Sequence, residues 1–149
     1  MIRKTLPAIA AAALLWPMTA SAHWQSTRWD MTVDQVLASA KGRVVHADTG
    51  DKLLGQSKKL AGIVPFEGRS YMADFFFSDT GGLTLVRLNP VSADCLAIID
   101  ELKARYGASS SPHNGDWKDP KTGDGVLQSF SYQYTPCYTS YRKPGLVAR

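Results

Sequence analysis

From Gly42 to Pro90 the chain alternates short apolar runs with turn-forming clusters, and that alternation leaves it few architectures to adopt. Strand-like segments run from Arg43 to His46, roughly Lys59 to Phe66, Arg69 to Ser78 and Leu83 to Asn89. Between them stand Asp48-Thr49-Gly50-Asp51, Glu67-Gly68 and Asp79-Thr80-Gly81-Gly82, whose Asp and Gly residues tolerate the backbone angles of a tight reversal. In the third segment Tyr71, Ala73, Phe75 and Phe77 share one face and Asp74 lies opposite, the period-two mark of a half-buried antiparallel strand. Met72 and Phe76 give the second face some apolar character too.

Two helical patterns punctuate the strands. Thr32 and Gln35 have capping-box spacing, Val33, Val36, Leu37 and Ala40 recur at helical period, and Gly42 is a natural stop. After Pro90, Ser92 is placed to cap a second helix. There Cys95, Ile98, Ile99, Leu102 and Tyr106 form one apolar stripe, ended by Gly107. A Ser/Pro/Asn/Gly loop follows, and then Trp117, Val126 to Tyr134 and Cys137 to Tyr141 supply further strands. The order of elements predicts an α+β fold, an antiparallel sheet with both helices packed on one face. Met31-Thr32-Val33-Asp34 opens the first unit much as Val91-Ser92-Ala93-Asp94 opens the second, which suggests a degenerate tandem α-β repeat.

Residues 1–22 have the layout of a secretory leader: Arg3 and Lys4, an apolar run from Leu6 to Met18, and small side chains at Ala20 and Ala22. Cleavage there would leave one domain of residues 23–149 with His23 at its amino terminus, destined for the periplasm or the medium. The run is too short and too interrupted by Pro7 and Pro17 to predict a membrane span. The mature part keeps 15 basic residues against 13 acidic ones, a net charge of +2. So weak and scattered a charge argues against nucleic acid as a partner. With only two cysteines in a chain bound for an oxidising compartment, a Cys95–Cys137 disulfide is expected.

Several motifs invite a chemical reading. Asp-Thr-Gly occurs at residues 48–50 and 79–81, the triplet of aspartic proteases, but both copies fall where a hairpin must turn. Lys121-Thr122-Gly123 and Ser140-Tyr141-Arg142-Lys143 imitate two boxes of penicillin-recognising serine enzymes in reversed order, with the serine in a strand. An amino-terminal His23 offers its amine and a ring nitrogen to copper, with His46 or His113 as a further imidazole. Copper binding through His23 is therefore the alternative to a chain without metal or cofactor. Ser129 to Tyr141 is rich in Tyr, Ser and Thr, the composition of many binding surfaces.

Trp29-Asp30-Met31-Thr32 before a short first helix, two meandering strand groups, and cysteines in the second helix and a late strand together have a known parallel. The layout resembles small exported bacterial domains of the beta-lactamase inhibitor protein type. That resemblance implies a sheet that grips a partner protein. The expectation is a non-catalytic, protein-binding or inhibitor-type module of the cell envelope. Its working surface would be the sheet face away from the helices, anchored by Trp117, Tyr132, Tyr134 and Tyr138.

Overall fold

The computed structural model describes residues 26–92, 95–109, 114–131 and 135–147. The leader, His23, His113, Tyr132 and Tyr134 lie outside the described residues. Helix α1 (Val33–Ser39) begins at the expected capping box, with Thr32 and Gln35 each satisfying the other's backbone N–H. Lys41 and Gly42 then turn the chain left-handed, at φ of 50° and 81°, into β1 (Val44–His46). Strand β2 (Lys52–Leu53) meets β3 (Gln56–Phe66) through Leu54-Gly55, both at positive φ, and β3 meets β4 (Arg69–Phe77) through Glu67-Gly68 in the same conformation. Two adjacent left-handed residues give the reversal whose twist matches antiparallel strands. The expected strand at Lys59 thus starts three residues earlier and carries an extra hairpin arm, because Leu54 accepts a conformation that non-glycine residues seldom adopt.

The remaining elements are β5 (Leu83–Pro90), α2 (Cys95–Tyr106), β6 (Gly115–Lys118), β7 (Gly125–Ser131) and β8 (Thr135–Arg142). Pro90 closes β5 from within, and Gly107, at φ 94°, ends α2 with its N–H donating to the Lys103 carbonyl. Residues 93 and 94, where the cap after Ser92 would form, lie outside the described residues. All eight strands join one antiparallel sheet, in the order β1-β3-β4-β5-β8-β7-β6, with β2 paired to β3. The fold is α+β. No helix among the described residues is long and apolar enough to cross a membrane.

Register assigns the faces. One row of paired residues crosses the sheet as His46, Leu60, Phe75, Val86, Tyr141, Val126 and Trp117. From Leu60 onward every member is buried and belongs to one hydrophobic cluster, which also takes Val36 from α1, Ala40 at its C-cap, and Ile98 and Leu102 from α2. The neighbouring inward row contains Gly62, Ala73, Leu88, Thr139, Gln128 and Gly115. Cys95 of α2 is bonded to Cys137 of β8, as expected, with their Cα atoms 5.7 Å apart. Two glycines allow this packing. A Cβ on Gly62 would stand 2.1 Å from the Arg43 carbonyl oxygen, and one on Gly115 would enter the Trp117 ring.

The Trp29-Asp30-Met31-Thr32 segment ties the N-terminal end to later strands. The Trp29 indole donates to Asp124 at 2.7 Å, the Asp30 N–H to the Leu83 carbonyl, and the Leu83 N–H to the Met31 carbonyl. The Asp30 carboxylate also holds Lys143.

Candidate functional site

Residues of the opposite parity build the second face of the sheet. Its central row runs Val45, Ala61, Asp74, Arg87, Ser140, Leu127 and Asp116 across seven strands. On one side lie Ile63, Met72 and Asn89; on the other Lys58, Phe76, Leu85, Arg142, Gly125 and Lys118.

The middle of this face is polar and tightly bonded. Asp74 is only 4% exposed, and its Oδ2 accepts from Arg87 Nη2 at 2.7 Å, Arg87 Nε at 3.1 Å and Asn89 Nδ2 at 3.2 Å. Lys58 reaches the other carboxylate oxygen at 3.5 Å and Asp51 at 3.0 Å. A carboxylate on a sheet pays for lost water unless several donors replace it, and here three side chains do. The Arg87 guanidinium lies 5.2 Å above the Phe76 ring and 5.9 Å from the Tyr138 ring, so one cation serves a carboxylate and two aromatic faces. Further along, Arg142 crosses Gly125 to bond Asp116 on β6, a path that a Cβ on Gly125, 2.8 Å from Nε, would obstruct.

Beside this polar row the face is apolar and open. Val45, Ile63 and Met72 are 61%, 58% and 40% exposed. Ile63 pairs directly with Met72, and Val45 pairs with Ala61, two residues from Ile63 on the same side of β3. Side chains in such direct and diagonal relation lie within reach of one another. Three adjoining strands therefore present one apolar patch bordered by bonded charges and an aromatic ring.

Trp117 and Tyr138, both expected as anchors, fall on opposite faces of the sheet. Tyr138 is on this second face, partly exposed, while Cys137, Thr139 and Tyr141 point inward. Trp117 does not join it. It is 8% exposed within the core, its ring lies over Gly115, and its indole N–H donates to the Gly107 carbonyl at 3.2 Å. The ring faces inward because Trp117 pairs with inward Val126. The sequence held a signal for this, a glycine two residues before the tryptophan on the same strand face. His46 is exposed on β1, and no group of three or more His, Cys, Asp or Glu side chains fit to hold a metal occurs among the described residues.

The second Asp-Thr-Gly triplet occupies the β4–β5 turn, with Asp79 exposed. The first does not reverse the chain as expected: β1 and β2 run in the same direction along β3, so Asp48-Thr49-Gly50 interrupts one edge of the sheet, where Asp48 bonds Lys59 at 2.6 Å. Sequence reasoning noted Met72 on the second face but missed Arg87, Lys58 and the patch that Met72 forms with Val45 and Ile63. Their only local sign was a charged residue interrupting each of two apolar strands. No protein-family model, no curated protein and no solved structure matches this chain.

Proposed function

We propose that this chain is an exported, non-catalytic module that binds another protein through the second face of its sheet. The observation that carries the reading is the exposed Val45–Ile63–Met72 patch beside the Asp74–Arg87–Tyr138 cluster. Met, Tyr and Arg are enriched at interfaces, where apolar centres are ringed by satisfied polar groups. Export is supported by the leader-like residues 1–22 and by the Cys95–Cys137 disulfide.

In this reading both helices cover the first face, supported by the single cluster that holds Val36, Ala40, Ile98 and Leu102 together. The tandem-repeat reading has support in the strand order. After α1 the chain runs inward from one edge as β1-β3-β4, and after α2 inward from the other edge as β6-β7-β8. A broad sheet with one free face is also what the resemblance to the beta-lactamase inhibitor protein type implies. The occupant is a different exported protein, with apolar side chains to lay on the patch. Three exposed apolar residues fall well short of the roughly 2,000 Å² or more that obligate dimers bury.

The test uses the processed protein as bait in its native envelope, followed by binding measurements on the partner obtained. Ile63→Asp and Met72→Asp should abolish binding with unfolding midpoints unchanged, and Tyr138→Ala should cost about 1–3 kcal/mol of affinity. Leu96→Asp, on the exposed side of α2, should leave binding intact. Loss of binding with Leu96→Asp and retention with Ile63→Asp would move the working surface to the helices. Self-association abolished by Ile63→Asp would replace the foreign partner with a second copy.

A further inference from the structure

At one end of the sheet, on the side of α2, a cleft of about 400 Å³ opens between the β3–β4 turn, the last turn of α2 and the β6–β7 loop. Its walls are the rings of Phe66, Tyr106 and Tyr141, and its charged groups are Glu67, Arg105, Asp119 and Lys121. Phe66 and Tyr141 belong to the inward face, so the cleft is separate from the second face of the sheet.

The charges are balanced and engaged. Arg105 bonds Glu67 at 2.6 Å. Asp119 accepts from the Tyr106 hydroxyl at 3.2 Å and from the backbone N–H groups of Lys121 and Thr122. Two carboxylates against two cations leave no net charge to select an ionic ligand. The accessible Glu67–Arg105 pair does leave oriented lone pairs and N–H bonds for a neutral, hydroxyl-rich one. The Phe66 and Tyr141 rings meet edge to face, with centroids 5.9 Å apart, and present apolar ring surface between those groups. Beyond Phe66 and Tyr141 the adjoining space between α2 and the sheet shrinks to about 10 Å³, room for a water and not for a hydrocarbon chain.

From this combination we infer that the cleft is a saccharide subsite, taking one or two neutral sugar units. The C–H face of the sugar ring lies on Tyr106 or Phe66, and its hydroxyls exchange hydrogen bonds with the Glu67–Arg105 pair. The volume is at the small end of ordinary ligand sites, as a mono- or disaccharide requires.

The test titrates glucose, N-acetylglucosamine and maltose into the processed protein, with benzoate and benzylammonium as charged aromatic comparisons. Ring-proton NMR shifts of Tyr106 and Tyr141 give the readout. At least one sugar should bind saturably with a dissociation constant on the order of millimolar. Arg105→Met and Glu67→Asn, the latter chosen to keep the left-handed turn, should weaken it by about tenfold each while far-UV circular dichroism stays unchanged. The inference is overturned by no saturable binding of any sugar at about 50 mM, by tighter binding of either charged compound, or by sugar binding that both rim variants leave untouched.

Discussion

Asp74 shows how much a single side chain draws on its surroundings. Alone among the residues of β4 it would bury a charge; with Arg87, Lys58 and Asn89 around it, the carboxylate exchanges water for four donor contacts. Tyr141 makes the complementary case of a group kept neutral. Burial first, then Tyr106 and Glu67, raise its phenol well above the ordinary value of 10.0. The folded chain therefore keeps a proton that the unfolded chain releases as pH passes about 10. More protons are bound in the native state, so stability present below pH 10 is lost as pH rises above it, by up to about 1.4 kcal/mol per pH unit. Denaturation midpoints at pH 8 and pH 11 should reveal this decline; Tyr71 and Tyr106, raised by burial as well, share in it, so Tyr141→Phe should lessen it. An equal decline in that variant would mean that another group is responsible.

At the scale of elements, the edges of the sheet depend on glycine. β1 has three residues, and its pairing with β3 brings the Arg43 carbonyl against Gly62. The contact is backbone to backbone, so a new methyl group has no flexible side chain to push aside. Gly62→Ala should cost about 2–3 kcal/mol of stability, at the upper end of overpacking effects, and should raise hydrogen exchange in β1 before any other strand. Unchanged protection of Val44 to His46 in that variant would contradict the close approach. Helix α1 needs less from its neighbours. Thr32 and Gln35 satisfy its first turn locally, and Val36 alone of its residues is buried.

For the whole molecule, the disulfide spans 42 residues and joins α2 to the strand that bridges the two meanders. Closing a loop of that length in the unfolded chain corresponds to about 4 kcal/mol of stabilisation by the chain-entropy account. The Cys95→Ala, Cys137→Ala double variant should lose about that much in urea denaturation. A loss spread over folding and unfolding rates alike would place α2 docking within the transition state. A loss far below 1 kcal/mol would show that the chain holds α2 in place without the bond. Among the described residues the two meanders are joined strand to strand by the β5–β8 pairing, from Leu85–Arg142 to Leu88–Thr139, so cooperativity between them passes through these pairs, with the disulfide beside them.

Much of this protein was written locally. Glu67-Gly68 and Asp79-Thr80-Gly81-Gly82 set two of the turns, Thr32 and Gln35 set the start of α1, alternation in Tyr71 to Phe77 set which residues share a face, and two cysteines had one possible mate. These follow from short-range backbone and side-chain geometry, which the amino acids carry with them. Strand order is a different matter. The placement of β5 beside β8 brings Arg87 to Tyr138, and the pairing of Trp117 with inward Val126 turns a supposed anchor into core. Alternation fixes parity within a strand but not which side faces the helices, nor which distant strand supplies the neighbour. Those choices are made by packing across residues far apart in the chain, and the Val45–Ile63–Met72 patch exists only once three strands are aligned.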